Sequence, residues 1–161
     1  MPRFRFVTHW QFAAPIDPVW KIITDVGRLP EWWPGFKQAA LQGTDRTLRV
    51  GQVVDCTVRA ALPYSLRFSL EITDLHPPTM MRLRSRGDLD GWGQWDLAIE
   101  GNGTAVSYTW EVGLTRPVLG ALSRLPFARA ALSRNHDIVM SQGFENLRRL
   151  LSDEARPRGA S

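Results

Sequence analysis

An α+β fold, with an antiparallel sheet curled around one long helix near the C-terminus, follows from three features of these 161 residues. The middle of the chain alternates apolar and polar residues with period two, as strands covered on one face do. The last third shifts to spacings of three and four, which is the period of an amphipathic helix. The first residues add one more alternating run followed by a short helical pattern. A one-faced sheet and an amphipathic helix bury their apolar surfaces most simply against each other. A strongly curved sheet and one helix seldom fill all the space between them, so an internal apolar cavity is expected.

The elements come in this order. Phe4, Phe6, Thr8, Trp10 and Phe12 share one parity against Arg3, Arg5, Val7, His9 and Gln11, which predicts a half-buried first strand. Asp17 is then the expected N-cap of a helix with Pro18 in its first position, and Gly27 offers a stop. Val19, Trp20, Ile22, Ile23 and Val26 carry the helical spacing. In Pro30-Glu31-Trp32-Trp33-Pro34 two prolines leave room for no more than a short helical turn.

From about residue 37 to 114 some six strands follow. Val54, Cys56 and Val58 are one inward set; Leu66, Phe68, Leu70 and Ile72 are the next. Met81, Leu83 and Ser85 oppose Arg82, Arg84 and Arg86, while Trp95, Leu97 and Ile99 oppose Gln94, Asp96 and Glu100. Val106, Tyr108, Trp110 and Val112 complete the inward face, and Gly101-Asn102-Gly103 predicts the hairpin before them. His76-Pro77-Pro78 marks another break. After Pro117 a lead-in, interrupted at Pro126, precedes a helix over 127–151, about 38 Å long. Its apolar stripe is Leu132, His136, Met140, Phe144, Leu147 and Leu151. Residues 1–152 read as one domain and 153–161 as a tail that frays.

Composition excludes several functions. Net charge is +4, with eighteen Arg against two Lys, and each half of the chain carries +2. No basic lobe marks a nucleic-acid surface. Arg dominance suggests a GC-rich bacterial genome. No uncharged run is long enough to span a bilayer, and the N-terminal residues alternate, so a cytoplasmic protein is expected. The single Cys56 rules out an internal disulfide framework and reads as an inert small hydrophobe. His9, His76 and His136 show no metal-binding spacing, and neither lysine completes a phosphate loop. Gly91-Trp92-Gly93 lacks the third glycine of a dinucleotide site. No metal or organic cofactor is expected.

The run FxAPIDxVWxIITDVxRLPEWWPGF, with GxWDL, GTAVSYTWE and the terminal NHDIVMxxGFENLRRLL, resembles the START-like (Bet v 1-like, SRPBCC) superfamily. Within it the polyketide cyclase/dehydrase-like branch is the most similar. The resemblance covers about residues 3 to 151. It implies a helix-grip fold, with a sheet of seven strands around the C-terminal helix and an apolar pocket between them. It does not imply one reaction, since such proteins include aromatase/cyclases, lipid and sterol carriers and hormone receptors.

His136, on the apolar stripe, is the sharpest candidate for chemistry. An imidazole there can take a proton alpha to a ketone or protonate a leaving hydroxyl. A core histidine bonded to backbone, with Asn135 nearby, is the plainer alternative. Tyr108 offers a hydroxyl to polarise a carbonyl. Trp33, Phe68, Met81, Leu83, Ser85, Trp95, Trp110, Met140 and Phe144 are the expected ligand-binding surface. Trp32 and Trp33 are expected to flank the pocket entrance, one packing under the sheet and the other free to gate. Arg82, Arg84 and Arg86 form an outer row, either a solvated strand face or a site for an acidic partner. Three functions follow. The first is a binder of a hydrophobic or aromatic small molecule, polyketide- or lipid-like. The second is a cofactor-independent cyclase/dehydratase using His136 as acid/base, and the third is a protein-interaction module.

Overall fold

The computed structural model describes residues 3–59, 65–115 and 126–154. Strand β1 (Arg3–Phe12) leads to α1 (Ile16–Thr24), a 3₁₀ turn (Val26–Arg28) and α2 (Leu29–Trp32). Six strands follow: β2 (Phe36–Leu41), β3 (Val53–Val58), β4 (Leu66–His76), β5 (Met80–Gly87), β6 (Leu89–Glu100) and β7 (Gly103–Leu114). The long helix α3 runs over Pro126–Glu154. The lead-in over 116–125 and the tail from 155 lie outside the described residues, as do the side chains of Leu132 and Asn135.

All seven strands form one antiparallel sheet in the order β1-β7-β6-β5-β4-β3-β2. Strands β2 to β7 are a meander, and β1 returns to pair with β7. This is the helix-grip arrangement. The inward parity expected from alternation holds strand by strand, from Val54 and Cys56 through Leu66–Ile72 to Val106 and Tyr108. Gly101, at φ 59°, turns β6 into β7 so that Glu100 pairs with Gly103. A two-residue hairpin turn requires positive φ at its first central residue, which glycine supplies.

Three local expectations are corrected. Helix α1 begins at Ile16 after Pro15, so Asp17 makes no cap hydrogen bond and instead lies in the first turn. A carboxylate there still faces the positive helix end. The helix stops at Thr24, and Gly27 falls inside the 3₁₀ turn that follows. Ile99 is 71% exposed, although it shares the inward parity of Trp95 and Leu97.

The outer Arg row is absorbed by neighbouring strands. Arg84 bonds Asp90 at 3.1 Å and the Gly91 carbonyl, and Arg86 bonds Glu71 at 2.8 Å. Arg82 lies 4.4 Å from the ring centre of Trp92, itself on the outer face. These contacts are the in-sheet partners of a solvated strand face.

Candidate functional site: an aromatic pocket under the helix

The side chains beneath α3 divide into a filled end and a hollow end. At the filled end, β1 finishes, α1 and α2 lie across the sheet, and Trp10 contacts five other aromatic rings at 5.7–6.3 Å: Phe12, Trp32, Trp33, Trp95 and Phe144. At the other end β1 and β4 begin, β3 and β7 finish, and a pocket of about 150 Å³ remains. Phe4 and Phe6 of β1 and Tyr108, Trp110 and Val112 of β7 form one wall. Val58, Leu66, Phe68 and Leu70 form the opposite one. His136, Val139 and Met140 of α3 close the roof.

Trp33 is the partition between the two ends. Its ring stacks on Trp32 at 5.0 Å, meets Tyr108 edge-on at 6.0 Å and lines the pocket. The indole N–H donates to the Val139 carbonyl of α3 at 3.0 Å. Gly143 permits this approach, since a Cβ there would come within 2.9 Å of the indole. Both tryptophans of the pair are buried, so neither stands free at an entrance as expected. The prolines hold α2 to four residues, and that short turn drives both rings inward together.

One glycine of β6 shapes the floor. Gly93 pairs across with Trp110, and a Cβ on it would lie 2.8 Å from the Trp110 ring and 3.3 Å from the Tyr108 hydroxyl. The Trp110 ring therefore lies over bare backbone. Gly91 and Gly93 were set aside in the sequence as an incomplete nucleotide loop; at Gly93 a neighbouring aromatic occupies the missing side chain's volume, and at Gly91 the backbone of Glu111 and Val112 does. Glycine at inward parity beside a strand rich in aromatics was the signal for it.

Of the expected ligand-binding residues, Trp33, Phe68, Trp110 and Met140 line the pocket, together with His136 and Tyr108. The others are placed elsewhere. Trp95 is stacked behind Tyr108 at 4.1 Å. Phe144 sits one turn beyond Met140 and packs on Phe12 at 5.3 Å. Met81 and Leu83 are core residues on β5. Ser85 is 0% exposed and donates to the Leu89 carbonyl at 2.7 Å, which uses its hydroxyl. Among the lining residues that sequence reasoning did not name for the site are Phe4, Phe6, Phe36 and Leu89, although the β1 pair was already on the inward parity.

The pocket is apolar, and its polar groups are neutral. Burial lowers the His136 pKa to about 4 against a small opposing pull from Asp137. Its imidazole stacks on Phe6 with centroids 3.8 Å apart, and Nε2 is buried with no hydrogen-bond partner. Tyr108 is held protonated: burial first, then Cys56, raises its pKa far above the usual phenol range. The Cys56 thiol is itself pushed up to about 12 by burial. Among the described residues no group of three or more His, Cys, Asp or Glu side chains is arranged to hold a metal ion.

Comparison with known proteins decides the family. Residues 3–152 match the family described as polyketide cyclase / dehydrase and lipid transport. The chain belongs to that family. Among solved structures, it is similar to the ZhuI aromatase/cyclase from a Streptomyces species, at 17% identity and TM-score 0.76, with 99% of this chain and 100% of that one covered. A Thermus thermophilus protein is similar at 19% identity and TM-score 0.75, covering 96% of this chain and 100% of the other. A START superfamily protein from Mycobacterium smegmatis aligns at 12% identity and TM-score 0.72, over 94% and 99% of the two chains. At these identities the likeness to solved structures is one of fold. No curated protein matches the chain in sequence. No helix among the described residues is long and apolar enough to cross a membrane.

Proposed function

We propose that this family member, through one domain over residues 1–152, binds a hydrophobic or aromatic small molecule, polyketide- or lipid-like, and performs no chemistry on it. The observation that carries this reading is the pocket lining, in which no described side chain is charged at neutral pH. Its polar groups are one neutral imidazole, one phenol and indole N–H groups, of which that of Trp33 is already used by Val139. A general acid or base works best with a pKa near the operating pH. His136 lies well below that point and Tyr108 well above it. The lone buried thiol is compatible with a reducing cytoplasmic setting.

A cyclase/dehydratase is the second reading, favoured by the unpartnered Nε2 of His136, a residue that lines the pocket. There, His136 would move the proton and Tyr108 would polarise the carbonyl. The interaction-module reading is weaker, since Arg84 and Arg86 are already engaged by Asp90 and Glu71. Native mass spectrometry of the protein from its own host tests the first reading: a copurified apolar molecule is expected. An empty pocket, with no thermal shift across phenol, polyketide and lipid panels, would sink it. Turnover of a poly-ketone substrate that falls about 100-fold or more in His136→Ala would favour the enzyme instead.

A further inference from the structure

We infer that the pocket's ligand is a single aromatic ring bearing one hydroxyl, a phenol-class compound whose hydroxyl bonds His136 Nε2. The inference rests on the pocket-binding reading and narrows it by size, shape and polarity. The pocket holds about 150 Å³. Apolar protein cavities of roughly 150 Å³ take one benzene ring, so a fused multi-ring product or a long acyl chain exceeds the buried space.

Four of the wall rings lie in two near-parallel pairs. Phe4 and Phe6 are parallel within 1°, and Tyr108 and Trp110 within 19°. Rings packed this way favour offset stacking with a guest of the same kind. Leu66, Leu70 and Met140 supply the remaining apolar contact.

Polarity decides the substituent. Phe6 stacks on the imidazole and holds its plane. The imidazole Nε2 is buried without a partner, a state that costs free energy until something bonds it. A neutral imidazole has one donor nitrogen and one acceptor. A hydroxyl both donates and accepts, so it satisfies Nε2 in either tautomer, whereas an ether or ketone satisfies only the N–H form. A carboxylate or ammonium would be buried among described side chains that carry no compensating charge.

Calorimetric titration of the wild-type protein with p-cresol, toluene, 4-methylbenzoate, 2-anthrol and dodecanoate tests this. p-Cresol is expected to bind about tenfold more tightly than toluene, the effect of one buried hydrogen bond. The carboxylates and the three-ring phenol are expected to bind weakly or not at all. In His136→Phe the two small rings should bind alike. Nitrogen-15 spectra of the wild-type imidazole give a measurement that needs no variant: the Nε2 resonance should move with p-cresol and stay with toluene. Equal affinity of the two rings in the wild type, or an unmoved Nε2 resonance, overturns the inference. Tighter binding of dodecanoate or 2-anthrol overturns it while leaving the pocket-binding reading intact. Failure of all five compounds to bind counts against both.

Discussion

The two ends of the space under α3 are built from the same residue types with opposite results. At the filled end Trp10, Trp32, Trp95 and Phe144 interlock, because α1 and α2 add a further layer between sheet and long helix. At the hollow end Phe4, Phe6, Trp110 and Phe68 face an opening, and among the described residues only α3 lies opposite. Aromatic content does not tell a core from a cavity. What tells them apart is whether a third element occupies the gap.

The contrast can be broken most directly by truncation. Trp10→Ala should cost about 3–5 kcal/mol, as large-to-small changes in a closed core do. Phe6→Ala, beside existing empty space, should cost clearly less in the same chemical denaturation series. Equal losses would mean that the hollow end is as tightly packed as the filled one. Next in size is the partition. Gly143→Val puts a side chain where the Trp33 indole lies, and about 1–3 kcal/mol should be lost through overpacking. An unchanged denaturation midpoint would show that Trp33 is not wedged against α3.

Acid sharpens the comparison from the other side. In the unfolded chain His136 titrates near its ordinary value of about 6.5, whereas in the folded protein burial holds it near about 4. Between these values the unfolded state binds the extra proton, so the favourable contribution of the neutral buried ring is intact above the upper value. It is lost progressively as pH falls toward the lower one. Wild type should therefore lose more stability than His136→Phe between pH 7 and pH 4.5, read as denaturation midpoints. Parallel curves would contradict the buried placement of the ring. The smallest effect belongs to the outer face, remote from both ends. Arg86→Ala breaks an exposed pair with Glu71 and should cost about 0.2–1 kcal/mol, with ligand binding unaltered.

Strand parity was legible because a half-covered sheet imposes period two on its own sequence. Leu66, Phe68, Leu70 and Ile72 could be assigned inward with no knowledge of their partners, and they point inward. His136 and Met140 were legible as roof residues by the same logic at helical period. Trp95 and Trp110 shared one parity on adjacent strands, yet one is core and the other pocket wall. The difference lies in their cross-strand neighbours: Trp95 pairs with Tyr108, whose ring covers it, and Trp110 pairs with Gly93, which leaves its ring room to lie flat.

By itself, then, the chain's sequence determined the class of fold, the inward face of nearly every strand, the long helix and its stripe, and the neutral apolar character of whatever lies between. These are properties of local period and composition, which each segment carries alone. Tertiary structure decided that Trp32 and Trp33 are both buried, that Ser85 spends its hydroxyl on Leu89, and that the space left over amounts to about 150 Å³. A void is the difference between the separation of packed elements and the volume of the side chains between them. No single segment encodes that difference.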